Sequence, residues 1–162
     1  MEKAAFLASV PPFLLKTPDN PGGVDGSVFD GIKKAIAADR LAYLSFFLAN
    51  FCNVDVLGPR GEKRVSDQVV QYSWNVAAGA SATGTLDCAP AWLTDFRNDL
   101  PRIDVPTLVM RGDADWILPL AATGIPLSKG ITGARLVVEG RPHGLIWTHA
   151  AQGNAELVDF LR

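Results

Sequence analysis

The sequence contains very little cysteine. Cys52 and Cys88 are its two cysteines, and neither lies in a Cys-x-x-Cys pair or has a histidine at zinc-ligand spacing. The sequence therefore suggests neither a disulfide framework nor a structural zinc site. We expect both thiols to be free and buried, which fits the reducing environment of the cytoplasm.

Charge of one sign and long apolar runs are also scarce. The chain has 15 basic and 17 acidic residues and a net charge of −2, so nothing in its charge favours binding to nucleic acid. No apolar run reaches the roughly 18 residues of a membrane span. The apolar segment from Ala4 to Val10 is too short for a secretory signal. We therefore expect a soluble, cytoplasmic protein without nucleic-acid or membrane partners.

The composition is that of one globular domain, with 48% apolar and 20% charged residues. Ala4 to Val10, closed by Pro11-Pro12, is typical of a strand buried on both faces. Helical spacing then dominates as far as residue 93. We predict the following helical stretches: one from an N-cap at Ser27 past Asp39, one over 41–51, one opened by Ser66, and further turns over 86–93.

The pattern changes after residue 93. Val105 to Gly112 and Ala134 to Gly140 are apolar, β-branched runs bounded by proline or glycine, which predicts two buried strands. A weak helical pattern over 125–131 lies between them, and Ala150 to Leu161 closes the chain as a helix. The order strand, helical insertion, strand, helix, strand, helix predicts an α/β fold with about three parallel strands and flanking helices.

An acid and a histidine follow neighbouring strands of this predicted sheet. Asp113 and Asp115 come directly after the second strand, and His143 comes after the third. Because the carboxyl ends of parallel strands share one edge of the sheet, these side chains can meet there. A carboxylate that accepts the Nδ1 proton of a histidine leaves Nε2 available as a base. Asp115, which opens Asp-x-x-x-Pro, is our candidate acid.

Other residues near this pair have more ordinary explanations. Asp113 sits closer to the strand, where a turn-capping role is favoured. His149 precedes the last helix, where capping or packing is favoured. Trp116 and Trp147 adjoin the candidate pair and are substrate-pocket candidates, with core packing as the alternative.

Several segments, taken in order, carry a resemblance to known proteins: Pro12 to Thr17 with Asp19-Asn20-Pro21, Thr94 to Arg97, Pro101 to Pro106, and Pro142 to His149. Together they are similar to the cofactor-free bromoperoxidases and chloroperoxidases and their esterase relatives, a family with the α/β-hydrolase fold. The resemblance covers almost the whole chain.

This resemblance implies roles for particular residues. Asp115 and His143 would be the acid and the histidine of a Ser-His-Asp triad that hydrolyses or perhydrolyses esters without any cofactor or metal. The whole chain, 1–162, would be the C-terminal part of the domain. Within it, 20–93 would be a helical cap and 94–162 the strand-helix-strand-helix segment that carries the acid and the histidine.

The chain also departs from the family pattern. The nucleophile motif Gly-x-Ser-x-Gly occurs nowhere in it, and Ser81 is a poor imitation because no strand precedes it. We therefore expect a C-terminal fragment, corresponding to the family's strands six to eight, whose partner is an N-terminal half carrying the serine. The alternative is an inactive fragment that forms a homo-oligomer. The substrate of the complete enzyme would be a small ester or carboxylic acid.

Overall fold

A parallel sheet forms the centre of the molecule. The computed structural model describes residues 2–162, apart from the side chain of Glu139. In this part of the chain the sheet has three strands in the order β1-β2-β3: β1 (Ala4–Leu7), β2 (Thr107–Gly112) and β3 (Arg135–Glu139). Val109 at the centre of β2 lies opposite Phe6 on one side and Leu136 on the other. The predicted α/β fold with parallel strands is confirmed.

Helices cover both faces of the sheet and form a block between β1 and β2. Their bounds are α1 (Gly26–Ala38), α2 (Arg40–Cys52), α3 (Asp67–Ala78), α4 (Ala82–Ala91), α5 (Gly124–Gly130), α6 (Leu145–Thr148) and α7 (Ala150–Leu161). A 3₁₀ turn at Leu100–Arg102 precedes β2. No helix within residues 2–162 is long and apolar enough to cross a membrane.

Polar side chains set the helix boundaries. The prediction that Ser27 caps α1 is wrong: Asp25 is the N-cap, and its carboxylate accepts the Ser27 N–H. The predicted run past Asp39 is also wrong, because Asp39 ends α1 and its carboxylate caps α2 by accepting the Ala42 N–H. An extended residue with an acceptor side chain favours starting a new helix over continuing the old one. The predicted cap at Ser66 is confirmed.

Strand β2 is buried on both faces, as expected of a central parallel strand. On one face Val109 packs with Leu127 and Ile131 near α5. On the other face Leu108 and Met110 pack with Leu145, and α7 covers this cluster. A further core cluster joins the loop after β1, helix α1 and the loop after β2: Leu14, Phe29, Leu118 and Ala122. These packed layers hold the carboxyl ends of the strands in fixed positions.

The two cysteines differ in exposure. Both are free, and Cys52 at the end of α2 is buried, as expected. The prediction that Cys88 is buried is wrong. Cys88 lies on α4, whose buried face consists of Ala89, and its thiol is exposed.

Candidate active site

Asp115 lies in a tight loop after β2. Its Oδ1 accepts hydrogen bonds from the backbone N–H groups of Ile117 and Leu118, both at 2.8 Å. The side chain is fully buried. A buried carboxylate needs such partners, because charge taken out of water is otherwise strongly unfavourable. These two bonds fix the carboxylate and leave Oδ2 available to a further partner.

His143 provides that partner from the loop after β3. Its Nδ1 lies 2.9 Å from Asp115 Oδ2, and 13% of its side chain is exposed. A carboxylate oxygen accepts hydrogen bonds, so the geometry makes the Nδ1–H of His143 the donor to Oδ2 and leaves Nε2 as the ring nitrogen that faces away from the acid. Within the described residues, Nε2 has no hydrogen-bond partner. The structure thus brings together the acid and the histidine chosen from the sequence.

A buried arginine lies beneath the pair. Arg111 Nη2 is 3.5 Å from Asp115 Oδ2, and both side chains are fully buried. The guanidinium also donates to the Ser9 carbonyl at 3.0 Å, to the Leu118 carbonyl at 2.9 Å and to Thr123 Oγ1 at 2.5 Å. Burial lowers the pKa of Arg111, and the negative charge of Asp115 partly opposes this. Arg111 therefore ties the loop after β1 to the loop that holds Asp115.

Glycine permits the close approach of the two site loops. A Cβ at Gly112, the last residue of β2, would overlap the backbone carbonyl of Arg141. Arg141 lies two residues before His143 and is itself buried. Only a residue without a side chain lets the end of β2 lie this close to the loop after β3.

An apolar cavity of about 500 Å³ adjoins His143. Apolar side chains from the loop after β1 and from helices α1 and α2 form most of its wall, and among the described side chains no lysine, arginine, aspartate or glutamate lines it. Trp116 lies on this wall, next to Asp115. Trp147 does not line it within the described chain; it lines a separate cavity of about 290 Å³ between α2, α3 and α6. Of the two tryptophans, the structure places Trp116 beside the pair.

Asp113, His149 and Ser81 have other places in the structure than the Asp115–His143 pair. Asp113 is exposed at the start of the loop. His149 precedes α7, and its Nδ1 lies 2.8 Å from Thr148 Oγ1. Ser81 is the N-cap of α4, where its Oγ accepts the Gly84 N–H. The described residues contain no group of three or more His, Cys, Asp or Glu side chains that could hold a metal ion.

Sequence reasoning missed Arg111, Phe51 and Asn53. A lone charged residue at the end of the apolar run Thr107–Gly112 was a usable signal for a buried arginine with a charged partner. The ring of Phe51 meets the ring of His143 edge-on, with centroids 4.5 Å apart. Asn53 lies at the end of α2, and its side chain reaches the Asp115 loop. No local pattern in the sequence signals either of these long-range contacts.

The known proteins to which the chain is similar include several haloperoxidases. No protein-family model matches the chain. A Synechocystis sp. protein assigned as a non-heme chloroperoxidase is 61% identical over 163 residues, covering 100% of this chain and 58% of its own length. A non-heme haloperoxidase of Rhodococcus erythropolis is 35% identical, covering 98% of this chain and 58% of its own length.

Solved structures agree with these relatives. The bromoperoxidase from Bacillus anthracis superposes with a TM-score of 0.90 at 39% identity, covering 99% of this chain and 58% of that one. An esterase from Exiguobacterium antarcticum superposes with a TM-score of 0.84 at 25% identity, covering 98% and 56%. The chain spans about 58% of the length of the curated relatives it matches. Over its whole length the chain is similar to the C-terminal part of the non-haem haloperoxidases, and it has part of the α/β-hydrolase fold.

Proposed function

We propose that Asp115 and His143 are the acid and the base of a Ser-His-Asp triad in an ester-cleaving and perhydrolysing enzyme. The observation that carries this proposal is the 2.9 Å hydrogen bond between His143 Nδ1 and the buried Asp115 Oδ2, with the ring beside an apolar cavity. The serine comes from an N-terminal segment equivalent to the remaining length of the relatives. No cofactor takes part in this chemistry.

The pair acts on the serine in two stages. His143 Nε2 takes the hydroxyl proton as the serine oxygen attacks the ester carbonyl, and the Asp115 carboxylate stabilises the imidazolium that forms. The imidazolium then gives its proton to the departing alcohol, which leaves an acyl-serine. Water releases a carboxylic acid, whereas hydrogen peroxide releases a peracid. The peracid transfers an oxygen atom to a halide ion, giving hypohalite and the carboxylic acid.

The helical block is the proposed cap over the reacting groups. Residues 20–93 contain α1 to α4, and α1 and α2 supply much of the wall of the 500 Å³ cavity. Because the described side chains of this wall are mostly apolar and include no acid, lysine or arginine, it favours the acyl part of a small uncharged ester. Trp116, on the same wall, would contact the acyl group. Residues 94–162 carry the acid and the histidine.

The test is to complete the enzyme. The chain is joined to the remaining N-terminal part of the Synechocystis relative, which is expected to carry the serine motif, and hydrolysis of an activated ester is measured. His143→Ala and Asp115→Asn should each lower kcat by several orders of magnitude, on the order of 10⁴. The matched controls His149→Ala and Asp113→Asn should retain activity. Equal losses in the controls and in the candidate residues would refute the assignment.

An alternative is that the chain forms a homo-oligomer without catalysis of its own. The observation that favours it is the outer edge of β1, which has no strand partner within the described residues. Val158 and Leu161 on α7 are also exposed apolar side chains. Light scattering over a wide range of dilution tests it. A mass near 17.3 kDa at every concentration would exclude the oligomer.

A further inference from the structure

The C-terminal turn of α2 contacts both loops that carry the candidate pair. Asn53 Nδ2 donates a hydrogen bond to the Ala114 carbonyl at 2.8 Å. The Phe51 carbonyl accepts the Gly144 N–H at 2.6 Å. Ala114 directly precedes Asp115 and Gly144 directly follows His143, so each bond fixes a peptide group adjacent to a member of the pair.

Two further contacts strengthen this arrangement. The Phe51 ring packs edge-on against the His143 ring, with centroids 4.5 Å apart and an angle of 74° between the planes. A Cβ at Gly144 would lie 3.0 Å from the Phe51 carbonyl oxygen and 3.1 Å from Cys52 Sγ. These distances are tighter than most Cβ contacts in proteins, so a side chain at residue 144 would require the turn or the His143 loop to move.

Asn53 suits its place for two reasons. Its backbone is left-handed, with φ of 48° and ψ of 54°, a conformation that asparagine tolerates better than most residues. The residue is 1% exposed, so its amide is held in one orientation among packed neighbours. A glycine would keep the backbone conformation but would lose the donor to Ala114. Backbone and side chain can therefore be separated by experiment.

We propose that Phe51 and Asn53 are positioning residues, which hold the Asp115 and His143 loops at the separation that the hydrogen bond between the pair requires. The catalytic meaning of this role rests on the proposed function; the structural role does not. Helix α2 belongs to the proposed cap. The cap thus contributes to the geometry of the base as well as to the wall of the cavity.

The first test uses the chain as it is. Proton NMR of the unaltered chain should show a downfield Nδ1 proton on His143, and the Gly144 amide should exchange slowly with solvent because Phe51 accepts its hydrogen. Asn53→Gly should broaden and weaken the Nδ1 signal while the circular dichroism spectrum keeps its helical content. Asn53→Asp, which keeps the size and removes the donor, should do the same.

The matched control is Asn154→Gly, on the exposed face of α7. Glycine destabilises a helix, so this variant reports general loss of stability and should leave the His143 signal unchanged. If Asn53→Gly and Asn154→Gly give identical His143 spectra, the positioning role is refuted. If neither variant of Asn53 folds, the exchange of Gly144 in the unaltered chain decides, and exchange at the rate of an open loop refutes the proposal.

The second test uses the completed enzyme. A small displacement of a base costs turnover more than binding, so Asn53→Gly should lower kcat by about 10- to 100-fold and change KM by less than about twofold. A KM effect with unchanged kcat would refute the positioning role. If the completed enzyme is inactive before any substitution, the proposed function fails, while the NMR test still decides the positioning role.

Discussion

Replacement of Arg111 by methionine should strongly destabilise the chain. The Arg111 guanidinium lies 3.5 Å from Asp115, with both side chains fully buried, and it donates to three acceptors, one in the loop after β1 and two in the loop after β2. Methionine fills much of the space and removes every one of these interactions. Asp115 is then a buried carboxylate without its cationic neighbour.

The magnitude follows from burial. Removing one partner of a buried ion pair costs about 3–5 kcal/mol in the free energy of unfolding. For a domain of this size, that loss lowers Tm by about 10 °C. The same substitution at Arg135 is the matched control, because this arginine pairs with Glu156 on an exposed surface. Exposed pairs contribute less than about 1 kcal/mol.

Urea unfolding followed by tryptophan fluorescence measures both variants. The double variant Arg111→Met with Asp115→Asn should recover part of the loss, because it no longer buries a carboxylate that has lost its arginine partner. The reasoning would be wrong if Arg111→Met lost no more stability than Arg135→Met. It would also be wrong if the double variant lost more free energy of unfolding than the two single variants lose together.

Three further predictions concern other parts of the chain. Gly112→Ala should prevent stable folding, because its Cβ overlaps the Arg141 carbonyl, whereas Gly31→Ala in open space should stabilise α1 by about 0.5–1 kcal/mol; thermal melts compare them. A thiol reagent should label Cys88 at once and Cys52 only on unfolding, since Cys52 is buried and burial raises its pKa; mass spectrometry reads the sites. Thr17 donates a hydrogen bond to Asp19, and Arg97 donates to both Asp19 and Asp95; these bonds lower the pKa values of the two carboxyl groups below 3.8. The contribution of the two carboxylates to stability is therefore present above about pH 4 and is lost as the pH falls through the lower folded values. Thermal melts of Asp95→Asn and of the unaltered chain at several pH values test this.

The sequence was sufficient for the elements that depend on local pattern. The runs around β2 and β3 and the bounds of α7 follow from apolar periodicity and from proline and glycine at their ends. The meeting of Asp115 and His143 followed from topology, since both lie after adjacent parallel strands. The roles that these two residues would have come from the family resemblance.

Other features depend on contacts between distant segments. Two helical stretches were predicted here, but the first was expected to run past Asp39, whereas α1 ends at Ala38 because the Asp39 side chain caps α2. The bonds from Phe51 and Asn53 join residues that are far apart in the sequence, which no periodic pattern encodes. The different surroundings of Trp116 and Trp147 depend on where the helices pack.

The central claim is that His143 acts as the base for a serine. The most direct measurement is the rate at which an organophosphate labels the serine of the completed enzyme, with and without His143→Ala. Because labelling requires removal of the serine proton, the substitution should slow it by a factor on the order of 10³ or more. Labelling at an equal rate in the two proteins would show that His143 is not the base.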